Sequence, residues 1–158
     1  LEIDNFSDAP WSIGTRTKSA WTFRSGAPAQ NGGLPPWYSC ATDRTGRDCA
    51  FLPLLFASYD LPLDSLNQAP AGRAFTFDLA VGGQAYAPDP RLRGVDVEVS
   101  YDDGATWRPA TSVGGHDGRY TVTVEHPRNA QYVSLRLNAQ AGGGSGLTQE
   151  VIRAYRLR

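Results

Sequence analysis

The sequence predicts an all-β chain, folded as an antiparallel β-sandwich of about eight strands. Three observations predict it. Apolar and polar residues alternate with period two in several separate runs, the mark of strands with one face on a core. Seventeen glycines and eleven prolines in 158 residues place turns between those runs. No segment carries a sustained helical stripe.

The strands can be taken in order. Trp21 and Phe23 alternate with Thr22 and Arg24. Phe51 to Tyr59 is nearly all apolar and reads as a central strand or a piece of interface. Phe75, Phe77, Leu79 and Val81 alternate with Thr76, Asp78 and Ala80. Val95, Val97 and Val99 alternate with Asp96, Glu98 and Ser100, and Tyr120, Val122 and Val124 with Thr121, Thr123 and Glu125. Val133, Leu135 and Leu137 alternate with Ser134 and Arg136, and Val151 to Leu157 supplies a final strand. The later runs recur at roughly twelve-residue spacing, which points to a sandwich of the immunoglobulin or fibronectin type III kind. The loops between them are rich in Gly and Pro: Ser25 to Pro36, Gly82 to Gly94, and Ala141 to Gly146. The length suits one domain over residues 1–158, with 1–11 read as a linker from an upstream domain.

Fifteen basic residues face sixteen acidic ones, for a net charge of −1. That balance lacks the basic stripe of a nucleic-acid binder. The longest apolar run, Phe51 to Ala57, is too short to span a bilayer, so no membrane insertion is expected. Lys18 is the only lysine, and abundant Ala, Gly, Pro and Arg match the codon bias of a GC-rich bacterial genome.

Cys40 and Cys49 are not in a CxxC pattern, and no nearby His completes a zinc set. In an exported protein they read as a disulfide around a polar turn, worth about 2.5–3 kcal/mol in the chain-entropy account. In a cytoplasmic protein they would be two free thiols.

The most specific local motif is Ser100-Tyr101-Asp102-Asp103-Gly104-Ala105-Thr106-Trp107, an Asp-box of the form Ser-x-Asp-x-Gly-x-x-Trp. Asp102 is placed to accept backbone N–H bonds, Gly104 to supply a positive φ, and Trp107 to pack back on the strands. A glycosidase blade or a calcium site at Asp102 and Asp103 is the alternative. One copy makes no propeller, and two carboxylates are too few oxygen ligands, so a structural turn with no metal and no cofactor is expected. His116 and His126 are the only histidines, and neither sits in a hydrolase signature. Trp37 and Tyr38, after Pro35-Pro36, read first as covering the edge of the core, with stacking on a sugar ring or seating in a partner's groove as the recognition alternative.

Taken in order, several pieces resemble one family. They are Ser19-Ala20-Trp21-Thr22-Phe23-Arg24-Ser25, Leu52-Pro53-Leu54-Leu55 with Tyr59-Asp60, Ala69-Pro70-Ala71-Gly72-Arg73, the segment Val97 to Trp107, His126-Pro127, Val133-Ser134-Leu135-Arg136 and Val151-Ile152-Arg153-Ala154-Tyr155. This order resembles the C-terminal region of secreted bacterial subtilisin-like serine peptidases, from about Ser12 onward. The family's triad motifs are missing from this segment, so the resemblance implies a non-catalytic accessory domain, a secreted location and no catalytic residue here. The implied partner is the upstream peptidase domain of the same polypeptide or a protein substrate, with the chain otherwise monomeric. Where the family often has an Asp-x-x-Gly-Asn turn before its last strand, this chain has Ala141-Gly142-Gly143-Gly144-Ser145-Gly146, which puts a calcium role for that turn in doubt. The alternative function is a carbohydrate- or cell-surface-binding module.

Overall fold

The computed structural model describes residues 1–7, 10–26, 34, 35, 37, 38, 49–87, 89 and 91–158. Among them the chain is all-β, with eleven strands and one 3-10 turn. The strands are β1 (Glu2–Phe6), β2 (Arg16–Thr22), β3 (Leu55–Asp60), β4 (Gln68–Ala69), β5 (Ala74–Gly83), β6 (Leu92–Ser100), β7 (Arg108–Pro109), β8 (Ser112–His116), β9 (Arg119–Glu125), β10 (Tyr132–Ala141) and β11 (Gly146–Leu157). The count exceeds the expected eight because β1, β4, β7 and β8 are short or fully exposed and carry no apolar alternation. Glu2–Phe6, inside the stretch read as a linker, pairs antiparallel with β2 and is exposed throughout.

One sheet runs β1-β2-β11-β10-β6-β7, with β4 also on β11; the other runs β3-β5-β9-β8. All pairings are antiparallel except the two-residue contact of β4 with β11. The period-two pattern decides which faces meet. On β5, Phe75, Phe77, Leu79 and Val81 are buried while the residues between them are exposed. On β10, Val133, Leu135, Leu137, Ala139 and Ala141 turn inward. Both sheets contribute to one hydrophobic cluster, in which each fully buried Leu or Val stabilises by about 1.5–3 kcal/mol.

The apolar run Phe51 to Tyr59 does not form a central strand. Its strand starts only at Leu55 and lies at the edge of its sheet, not the centre. Leu55 is fully buried, whereas Leu52 and Phe56 are exposed. Phe23, expected beside Trp21 on one strand, lies just past the end of β2.

β11 carries a bulge. Val133 faces Tyr155 and Leu135 faces Val151, so two steps on β10 match four on β11. Arg153 takes up the slack at φ +54°, and its N–H donates to the Ser134 hydroxyl at 3.0 Å. The bulge also divides the far edge of β11: β2 pairs with Gly146–Ile152, and β4 with Arg156 and Leu157.

Polar side chains tie the two sheets at three levels. The Trp21 Nε1–H donates to the Leu55 carbonyl at 2.7 Å. The Tyr59 hydroxyl donates to Gln149 Oε1 at 3.0 Å, and the Gln149 amide donates to Ser19 Oγ at 3.1 Å. Burial pushes the Tyr59 phenol well above its usual range, so it stays a neutral donor. The third level is the His126 cluster described below.

Candidate functional site

The Asp-box is a self-satisfied turn. Ser100, buried at the end of β6, donates from Oγ to Asp102 Oδ1 at 2.7 Å and accepts the Gly104 N–H at 2.9 Å. Asp102 also accepts the Thr106 N–H at 2.8 Å and the Thr106 hydroxyl at 2.6 Å. These donors, with Thr106 first and Ser100 next, hold its carboxyl at about 2. Asp103 and Gly104 both have positive φ, +57° and +87°. A Cβ on Gly104 would lie 2.9 Å from Ile152 Cδ1 and 3.3 Å from Trp107 Cζ2, so glycine also makes room for the indole.

The neighbouring carboxylate is engaged as well. Asp103 accepts two bonds from Arg153, at 2.8 and 2.7 Å, and that hydrogen-bonded guanidinium lowers its pKa. Trp107 lies under the Arg136 guanidinium, 4.1 Å from the ring centre. Arg136 in turn bridges Glu98 and Glu150, both at 3.0 Å, across the outer face of three strands. Both carboxylates read as calcium-ligand alternatives thus have intramolecular partners. Among the described residues, no group of three His, Cys, Asp or Glu is arranged to hold a metal.

The histidines part company. His116 sits on a turn tip with Nδ1 at 2.8 Å from Asp117, both side chains in solvent. His126 is 4% exposed, stacked on Phe75 with ring centres 5.4 Å apart. The Tyr101 hydroxyl donates its proton to the Glu125 carbonyl at 3.0 Å, so it accepts from His126 Nδ1–H at 3.1 Å. That assigns the neutral tautomer and leaves Nε2 to accept from the Tyr155 hydroxyl at 3.3 Å. Burial pushes His126 down to about 4 and Tyr101 up to about 12. Sequence reasoning placed His126 only at a strand end; nothing in its immediate neighbours marked it as a core residue.

Trp37 and Tyr38 stand out in solvent, 74% and 42% exposed. The structure joins to them two residues that sequence reasoning missed. Tyr38 lies 4.9 Å from Phe51, Phe51 lies 6.2 Å from Tyr86, and Tyr86 lies 6.3 Å from Trp37, measured between ring centres. Tyr86 is half exposed and holds φ +64°, a backbone region unfavourable for a bulky residue. Trp37 meets its neighbours at steep angles, 77° on Tyr38 and 83° on Tyr86, while Phe51 lies tilted against Tyr38 and Tyr86, at 52° and 32°. They form a knot of four aromatics in which Trp37, Tyr38 and Tyr86 face water and Phe51 is half-buried beneath them. The cover-the-core reading for Trp37 fits poorly with that exposure. Cys40, the expected partner of Cys49, lies outside the described residues, as do 27–33 and 36 of the loop before it.

No family model matches the chain, and no curated protein matches it. One solved structure similar to it is the crystal structure of an engineered protein, at 18% identity and a TM-score of 0.35 over 61% of this chain. The match spans 20% of that protein's length.

Proposed function

We propose that the chain is a non-catalytic accessory domain of a secreted subtilisin-like serine endopeptidase, which holds the catalytic domain or a protein substrate through the Trp37–Tyr38–Phe51–Tyr86 knot. In this reading its two sheets form an immunoglobulin- or fibronectin-III-like sandwich. Cys40 and Cys49 form a disulfide beside the recognition loop, and the chain acts as a monomer outside the cell. The ordered sequence motifs support the parentage. The observation that carries the role is the exposed knot, because aromatics of this kind anchor protein interfaces.

The ring angles favour a protein over a glycan. Stacking along a flat polysaccharide needs exposed rings lying in one plane, and Trp37, the most exposed of them, stands edge to face on both Tyr38 and Tyr86. The test is calorimetric titration of this chain with the peptidase domain encoded upstream in its reading frame. Binding that weakens at least tenfold in Trp37→Ala supports the reading. An upstream frame without a peptidase domain, or retention on insoluble glycans that Trp37→Ala abolishes, overturns it in favour of a carbohydrate-binding module.

A further inference from the structure

The seven-stranded sheet ends at β6 with only Arg108–Pro109 laid along it. The Ala110 N–H donates to the Val97 carbonyl at 2.8 Å. On an antiparallel strand the backbone polar groups of alternate residues point to the same side, so Val95 turns its N–H and C=O the same way as Val97. That edge lies past the end of β7, and no described residue bonds to it. Arg93 is the extra residue of a bulge: Gln140 faces Gly94 and Ala141 faces Leu92. Bulges of this kind re-aim a side chain at the end of a strand.

Beside this edge a cleft of about 750 Å³ opens between the sheets, walled by β6, the end of β5 and the β8–β9 hairpin. Its walls are bare in places: a Cβ on Gly82 or Gly94 would meet nothing within 4 Å. Leu92, Val95 and Tyr120 offer partly buried apolar surface continuous with the core. Arg91 and Arg93 line the cleft without a carboxylate partner among the described residues. Asp89 and the His116-bonded Asp117 line it too.

We infer that the edge of β6 takes an extended peptide segment of a partner protein as an added strand, apolar at every second residue and carrying a carboxylate for Arg93. The Val95 amide and carbonyl, bonded by no described residue on this side, call for a partner with its own main-chain donors and acceptors, which an extended peptide supplies. Val95 and Val97 point their side chains inward, so the residues set opposite them point inward as well and meet Leu92 and Tyr120. Leu92 to Asp96 is about 16 Å of strand, enough for a segment of about five residues. The inference is independent of the peptidase reading, since it rests on the backbone edge of β6 and not on the aromatic rings.

The test uses the capped peptide acetyl-Glu-Val-Thr-Val-Glu-Val-amide at millimolar concentration, followed by amide NMR shifts of the whole chain. Two further versions are N-methylated at odd or at even residues. The expected result is shifts centred on Leu92–Asp96, kept by one methylated version and lost in the other. Arg93→Glu, at an exposed position, is expected to weaken binding about tenfold. Val95→Pro removes one edge N–H without touching the β10 ladder and is expected to abolish it. No response to the parent peptide, equal binding by both methylated versions, or shifts centred elsewhere overturns the inference. So does dimerisation through this edge without any peptide response.

Discussion

Asp103 and Arg153 grip one another by two hydrogen bonds, and both hold a left-handed backbone, at φ +57° and +54°. One sits at the apex of the Asp-box turn and the other at the bulge of β11. The ion pair thus clamps two local departures from regular strand geometry against each other. Asp103→Asn keeps the turn-forming side chain but loses the charge. With both groups substantially in solvent, it is expected to destabilise by about 0.5–1 kcal/mol, an effect that shrinks in high salt. Urea unfolding at low and high ionic strength checks this; an unchanged midpoint in both would show the clamp to be inert.

Gly104→Ala should be harsher. The new methyl group would press on Ile152 and Trp107 in a backbone region unsuited to alanine, with an expected loss of about 2 kcal/mol. Because Trp107 would be pushed from beneath Arg136, tryptophan fluorescence should change along with the melting temperature. A variant that melts with the parent protein and keeps its emission spectrum would contradict the packing described for this turn.

His126 gives the chain an acid-sensitive stability. The unfolded chain protonates this imidazole near 6.5, whereas the folded chain resists until about 4. The stabilisation is therefore complete above 6.5 and is lost as pH falls towards 4, for a total of about 3 kcal/mol. Asp102 acts in a separate window: its contribution is present above 3.8 and fades as pH falls towards 2. His126→Gln, which cannot titrate, should flatten the stability profile between 6.5 and 4 and leave the lower window in place. A profile as steep as that of the parent would remove His126 from the account.

Much of the core was legible because β5, β9 and β10 alternate in sequence, and burial follows that alternation except at Ser134, which is buried where its hydroxyl meets the β11 bulge. β8, Ser-Val-Gly-Gly-His, was not, since two glycines erase the pattern, and β7 is two residues long. The β11 bulge was hidden for a different reason. Two extra residues keep the parity of the strand, so the apolar spacing of Val151 and Tyr155 gives no sign of it. At the candidate site, Trp37 and Tyr38 were visible as neighbours in sequence. Phe51 and Tyr86 join them only through the fold, although an isolated tyrosine in a Gly- and Pro-rich loop was a signal worth weighing.

That aromatic knot yields a prediction of opposite signs. Trp37→Ala should leave stability within about 0.5 kcal/mol, because the side chain is largely in solvent. Tyr86→Gly should raise stability by relieving the positive φ, by about 1 kcal/mol. Both should weaken capture of the peptidase domain in the titration described above. A Tyr86→Gly chain that is less stable would mean that the ring contributes more to folding than its backbone withholds.

The ties between the sheets have a mechanical consequence. Apolar burial resists separation but, having no direction, opposes sliding only through the interlocking of its side chains. Trp21 on Leu55, Tyr59 on Gln149, and Tyr155 on His126 are directional, and they are spread along about 25 Å of strand. A tether pulling along the strands would load these three dowels together before the core could shear, and with several of them in line the sheets can neither slip nor swivel while any two hold.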